Sequence, residues 1–329
     1  MNAAAAIASL LFTKKACILV THIHPDGDAL GSVLGMASYL RERGASVLCY
    51  LEEPVPPVYR FLPGSESIIC DLDQVETFAR EHGGDLLTLC LDCGDYRRLG
   101  KSGTRLMMLR PFVVVDHHQG NRGFGDMSWI EPGRSSTGEM IYDLLMEQGE
   151  PLSCNTAECL FTSILTDTGG FRYEGTTEHT FAVAGELVRY GALPAKISEN
   201  LYDSSTFGRL QLMQDVLSTL TVHEKGAVAV IRVTREMLDR SNTVMSDTEN
   251  LVNLPRSVHS VIVAVLLKEL EEGVVSVSLR AKGGCDVSEV AAAFGGGGHR
   301  NASGFRATGV TLDEVLDKLL PVLRSKVQH

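Results

Sequence analysis

The chain reads as an α/β protein. An N-terminal domain with a parallel-rich sheet flanked by helices is expected to lead, through a helical linker, into a smaller C-terminal α/β domain with a mixed sheet. Two observations carry this. Across the first half, short apolar β-branched runs alternate with helical patterns, as in successive βαβ units. Around Gly191–Gly208 the pattern turns helical and polar, with Asn200, Asp203, Ser204 and Ser205 clustered, before strand-like runs return. With 329 residues, each domain has room for its own core. The expected division is 1–190, a linker at 191–218, and 219–329.

Cys17–Thr21 is the first expected strand. Gly27–Arg43 follows as a helix with Leu30, Leu34, Ala37, Tyr39 and Leu40 as its buried stripe and Gly44 as its stop. Strands are then expected at Ser46–Leu51, Leu86–Leu91 and Pro111–Val115, and helices at Thr137–Gln148, Asn155–Leu165 and Thr177–Tyr190 close the domain. The second domain should hold strands at Thr221–Val222, Ala227–Val233, Ser260–Leu267 and Val274–Leu279. A helix near Glu236 and another at Val287–Phe294 belong to it, followed by a strand near Gly304–Ala307 and a last helix at Leu312–Leu323.

Composition excludes several classes. The chain is 44% hydrophobic and 22% charged, and its longest apolar run, Val261–Leu267, is far short of the roughly 20 residues of a membrane helix. Lys14 and Lys15 follow the apolar Ala3–Phe12 instead of preceding it, the wrong order for a secretory signal. A cytoplasmic protein with no membrane partner is expected. The 8 cysteines are too dispersed for a disulfide framework, and the lone Cys90-x-x-Cys93 spacing is read as packing. A net charge of −11 argues against gripping long nucleic acid, which requires many phosphates to be neutralised. It does not exclude a small phosphorylated ligand drawn to bound cations.

The chemistry-bearing residues lie at or just beyond apolar runs, or at a helix end. His22, Asp26 and Asp28 sit in THIHPDGDALGS, Asp92 in LDCGD, Asp116, His117 and His118 in VVVDHHQGN, and Asp167 in TSILTDTGG. Oxygen and nitrogen donors without thiolate suit two hard divalent ions, with Mn²⁺ expected and Mg²⁺ or Co²⁺ as alternatives. The rival reading of Asp26 is a helix cap. For Asp92 it is a cap for the next helix, although Asp95 can serve there.

These segments, together with SSTGEMIYDLL, resemble the successive motifs of the DHH phosphoesterase superfamily. SLRAKGGCDVSEVAAAFGGGGHRNASGF resembles the DHH-associated substrate-binding domain, and the combination is similar to the nanoRNase and phosphoadenosine-phosphate (pAp) phosphatase branch. The resemblance implies that His22, Asp26 and Asp92 hold one ion and Asp28, Asp92, His117 and Asp167 the other, with Asp92 bridging. It also implies that His118 contacts substrate or donates a proton while Asp116 orients an imidazole. His24 receives no role.

Two ions about 3.5–4 Å apart would share and activate a water for in-line attack on phosphorus. Gly296, Gly297 and Gly298 of GGGGH are expected to form an anion-binding nest, with His299, Asn301 and Arg280 as further substrate contacts. A flexible helix stop and a solvated arginine are the bland alternatives. The expected partners are short RNA or DNA oligonucleotides and nucleotide bisphosphates, and by resemblance alone a homodimer. The alternative activity is cleavage of cyclic or linear dinucleotides, and a non-catalytic nucleotide sensor is the alternative of another class.

Overall fold

Six strands form the first sheet: β1 (Ala16–Val20), β2 (Ser46–Tyr50), β3 (Ile68–Ile69), β4 (Leu86–Leu91), β5 (Phe112–Asp116) and β6 (Met127–Ile130). Their order is β3-β2-β1-β4-β5-β6, and every pairing is parallel. The computed structural model describes residues 3–203 and 205–327 and divides into two compact units after Ser204. β1, β4 and β5 are buried along their whole length. Helices cover both faces of a parallel sheet, so its central strands read as unbroken apolar runs and not as alternation. Strand order reverses between β1 and β4, which opens a crevice at their carboxyl ends.

The helices of this unit are α1 (Ala3–Thr13), α2 (Gly27–Glu42), α3 (Leu72–His82), α4 (Gly103–Leu106), α5 (Thr137–Met146), α6 (Cys154–Asp167), α7 (Glu178–Arg189) and α8 (Pro194–Tyr202). Along α2, Gly27, Gly31 and Gly35 recur every four residues and therefore share a face. A Cβ on Gly31 would lie 2.4 Å from the Cys159 carbonyl oxygen, and one on Gly27 would lie 2.4 Å from Thr166 Oγ1. Only glycine permits this approach of α2 to α6. It brings the first turn of α2 beside the last turn of α6.

The second unit carries β7 (Thr221–His223), β8 (Val228–Val233), β9 (Val263–Glu269), β10 (Val274–Ala281), β11 (Gly297–His299) and β12 (Ala302–Thr308) in the order β11-β12-β10-β9-β8-β7. β8 and β9 pair in parallel and the other pairs are antiparallel. Its helices are α9 (Phe207–Ser218), α10 (Arg235–Ser241), α11 (Asn253–Arg256), α12 (Val287–Ala293) and α13 (Leu312–Val327). Val275, Val277 and Leu279 of β10 pack with Val290 of α12 and Leu319 of α13, while the alternate residues of β10 are only half-buried.

The expected linker, 191–218, contains α8 and α9. Ile197 and Leu201 of α8 join the first unit's core, and Leu212 and Val216 of α9 join a core of the second. Several elements were not anticipated. α3 fully buries only Val75, with Leu72, Phe78 and Ala79 on the same face packed partly buried beside it, β3 and β6 are short edge strands, and α1 was weighed only as a leader. All eight cysteines are free thiols, with Cys90 and Cys93 buried. Among the described residues, no helix is long and apolar enough to cross a membrane.

Gly31→Ala is expected to destabilise the protein by about 1–3 kcal/mol in urea unfolding, the usual cost of overpacking. Gly185→Ala, which meets nothing within 4 Å on α7, should instead stabilise it by roughly 0.4–1 kcal/mol. Equal effects at the two positions would contradict the tight α2–α6 contact.

Candidate active site

His22 follows β1, Asp92 follows β4 and Asp116 ends β5, so three of the expected residues sit at the carboxyl edge where strand order reverses. Asp26 is the N-cap of α2, its Oδ1 accepting from the Asp28 and Ala29 N–H groups, both at 3.1 Å. The capping reading is thus correct for one oxygen of Asp26. Its carboxylate still converges with His22 and Asp92, donor atoms of all three lying within 4.8 Å of one another.

A second set, Asp28, His117 and Asp167, converges within the same limit. His117 Nε2 stands 3.5 Å from Asp28 Oδ2 and 3.4 Å from Asp167 Oδ2. Asp92 lies between the sets. Its Oδ2 is 3.6 Å from His22 Nε2, and its Oδ1 is 3.7 Å from His117 Nε2 and 3.5 Å from His118 Nδ1. Asp92 also holds a left-handed backbone conformation, φ 56°, which aspartate tolerates better than most residues and which recurs at functional sites.

The Nδ1 atoms of all three rings have further partners. His117 Nδ1 is 3.1 Å from the Arg134 carbonyl oxygen. A carbonyl only accepts, so Nδ1 carries a proton and Nε2 faces the acids, free to bind a metal once its own proton leaves. His118 Nδ1 is 2.7 Å from Asp116 Oδ1, and Asn121 donates to the other oxygen of Asp116 at 2.7 Å. His22 Nδ1 lies between the Ile23 carbonyl oxygen at 2.8 Å and Arg98 Nη2 at 2.9 Å. It donates to the first when protonated and accepts from the second when not. His24 lies outside the set, exposed and paired with Glu53 at 2.8 Å.

Several contributors carried no individual expectation. Asp28, 1% exposed, accepts from Ser32 Oγ at 3.1 Å, Ser163 Oγ at 2.5 Å, Thr137 N at 2.8 Å and Gly138 N at 3.1 Å. Thr137 Oγ1 also donates to Asp92 at 3.1 Å. The α5 N-terminus therefore aims its N–H groups at one carboxylate, the favourable end of the helix dipole. Ser/Thr/Gly residues ahead of a helix could have signalled a cap, but not that a carboxylate from 110 residues away would accept.

Burial and crowding divide these groups. Burial, reinforced by Asp92, pushes the Asp28 carboxyl well above its usual range against the pull of His117. Burial also raises Asp167, to about 6, again against His117. At Asp92 burial is outweighed by the adjacent His22 imidazole and by the charges of His118 and His117, which hold it well below the usual range. Burial opposes charge on His117, yet Asp167, Asp28 and Asp92 raise it to about 10. Crowded acids around His117, whose Nδ1 proton points away from them, fit hard divalent cations, which would take the place of the protons on the near side.

In the second unit Gly297–His299 is an edge strand, which corrects the expected nest. Gly296 N donates to the Ala291 carbonyl oxygen, and along the paired strand that follows successive N–H groups alternate in direction, so the three do not converge on one anion. Gly296 and Gly298 are required by packing, because a Cβ would lie 2.1 Å from the Gly304 carbonyl oxygen or 2.6 Å from that of Ala302, whereas Gly297 meets nothing within 4 Å. His299 and Arg280 both pair with Ala302, from opposite sides. They therefore share one sheet face, roughly 10 Å apart. Lys268 and Arg306 both pair with Ser276 on that same face. Asn301 Oδ1 is buried without a hydrogen-bond partner, and its backbone carbonyl accepts from Ala281 N.

Residues 16–164 match the N-terminal domain of the DHH family, and residues 224–328 match the DHHA1 domain. The chain belongs to the DHH family. It is 32% identical to the bifunctional oligoribonuclease and PAP phosphatase NrnA of Thermus thermophilus, over 94% of this chain and 89% of that protein. It is 31% identical to the Bacillus subtilis protein of the same description, over 87% of this chain and 88% of that one. An exopolyphosphatase-related protein from Bacteroides fragilis, of known crystal structure, is 27% identical with a TM-score of 0.92, covering 99% of this chain and 98% of that one.

In the metal-free protein the raised groups bind more protons folded than unfolded. Their contribution to stability falls as pH rises, between about 4 and about 6 for Asp167 and between about 6.5 and about 10 for His117. Asp92, held low, contributes stability that is lost only in stronger acid. Divalent ions displace the raised protons, so the Mn²⁺-induced rise in Tm is expected to grow from pH 5.5 to 8.5. A rise that is flat or shrinks over that range, measured by thermal shift against a chelator control, would contradict these ligand sets.

Proposed function

We propose that this DHH-family hydrolase is a dinuclear-metal phosphoesterase that cleaves short oligonucleotides to nucleoside monophosphates and 3′-phosphoadenosine 5′-phosphate to AMP and phosphate. The observation that carries the reading is Asp92, poised between two converging donor sets, 3.6 Å from His22 and 3.7 Å from His117. The oligoribonuclease and PAP phosphatase descriptions of two relatives at 31–32% identity support it.

Two ions, Mn²⁺ preferred, would lower the pKa of a shared water and offset charge on the phosphoryl oxygens. The chain's own groups orient the reaction. His22, Asp26 and Asp92 would hold one ion, and Asp28, Asp92, His117 and Asp167 the other. Asp116 holds His118 by Nδ1, so proton donation to the leaving oxygen falls to Nε2. Burial opposes charge on that ring, but the Asp116 hydrogen bond and Asp92 raise its pKa above the ordinary histidine value, as suits a proton donor near neutral pH.

Arg280 and His299, in register on one face, would bind phosphate groups of a short substrate, and Gly297 would allow close backbone approach there. Lys268 and Arg306 add positive charge to that face.

With Mn²⁺, a series from dinucleotide to about ten nucleotides should show turnover falling with length, and pAp should be hydrolysed. A flat profile, or a preference for cyclic dinucleotides, would overturn the substrate assignment, and failure to hydrolyse any of them would favour a sensor. Asp92→Asn, which tolerates the left-handed backbone, should abolish turnover with the fold intact. His118→Ala should lower kcat by about 10²–10⁴-fold, the usual worth of a general acid. Arg280→Ala should raise KM by about 10- to 100-fold, in line with loss of about 1.5–3 kcal/mol for a hydrogen bond to a charged group.

A further inference from the structure

Glu139 lies in the first turn of α5, is 1% exposed, and touches none of the groups assigned above. Ser136-x-x-Glu139 has the spacing of a capping box, in which the glutamate would reach back to the Ser136 N–H. Ser136 does accept from the Glu139 N–H at 3.1 Å. The Glu139 carboxylate goes elsewhere, however. Its Oε2 accepts from Ser135 Oγ and from Thr180 Oγ1 of α7 at 2.8 Å, and its Oε1 accepts from Arg134 Nη1 at 3.3 Å.

Those contacts clamp a segment that meets the acids and imidazoles at four points. The Arg134 carbonyl accepts from His117 Nδ1 at 3.1 Å. Thr137 N and Gly138 N hold the two oxygens of Asp28 at 2.8 and 3.1 Å, and Thr137 Oγ1 reaches Asp92 at 3.1 Å. Arg134 is steadied further by Asp143 at 2.7 Å and Glu131 at 3.1 Å. A buried carboxylate stripped of hydration requires such donors, and here the donors themselves frame the site.

We propose that Glu139 is a positioning residue for the metal-ligand set. By fixing residues 134–138 it sets the Nδ1–H tautomer of His117 through the Arg134 carbonyl and holds Asp28 with both oxygens in place. Outer partners of this kind govern ligand orientation and basicity, and losing one costs about 10- to 100-fold in metal affinity. The inference rests on His117 and Asp28 being ligands.

Mn²⁺ affinity of the full-length chain, measured by titration calorimetry and by the free-Mn²⁺ paramagnetic resonance signal, provides the test independently of turnover. Glu139→Ala is expected to weaken Mn²⁺ binding by about 10- to 100-fold, while KM at saturating Mn²⁺ stays within about twofold. Glu139→Gln should fall between it and the unsubstituted protein, because the amide keeps one acceptor but turns N–H toward a donor. Thr180→Val, which removes one donor to Glu139, should weaken Mn²⁺ binding by a few fold and serves if Glu139→Ala does not fold. Unchanged Mn²⁺ affinity in folded Glu139→Gln and Thr180→Val proteins overturns the inference. Normal Mn²⁺ binding with no phosphoester hydrolysis in the unsubstituted chain would overturn the proposed function and leave this inference standing.

Discussion

Crowding carboxylates and imidazoles out of water at one sheet edge is the constraint from which the rest of the first unit follows. Asp28, Asp92 and Asp116 are each 1% exposed or less, and His22 and His117 are nearly as buried. Isolated charges at that depth would cost several kcal/mol each. The surrounding structure offsets that cost with donors: the α5 N-terminus and two serine hydroxyls on Asp28, a threonine hydroxyl on Asp92, and Asn121 on Asp116. The glycine face of α2 has the same purpose, since only its close approach to α6 lets Ser163 reach Asp28 and sets Asp167 beside His117.

The second unit solves a different problem. Its sheet buries one face of β10 under α12 and α13 and leaves half-buried residues on the other, where antiparallel register sets Arg280 and His299 on either side of Ala302. Small residues at Ala302 and Gly304 keep the floor between them low. The proposed chemistry and the proposed ligand grip thus draw on separate units, one on strand ends and the other on a strand face.

Much of the candidate site was legible because its residues lie where an α/β chain turns: His22 after an apolar strand, Asp92 two residues before Gly94, the DHH triplet after Val113-Val114-Val115. Other parts were not. Arg98 meets His22 from 76 residues away, and Ser163 meets Asp28 from 135 residues away, and no local pattern encodes such meetings. Asp26 could be read as a cap or as a ligand because one carboxylate has two oxygens. The glycine run was misjudged for a related reason, since composition shows freedom of conformation while strand pairing removes it.

Local order in the chain determined the alternation of strands and helices, the two-unit organisation and the identity of the acids and imidazoles, because periodicity and turn chemistry act over a few residues. Tertiary structure alone decided which nitrogen of His117 carries the proton, how Asp92 comes to stand between two donor sets, and how Glu139 governs them through a five-residue segment. Those outcomes depend on hydrogen-bond directions between elements far apart in the chain, and direction exists only once the elements have packed.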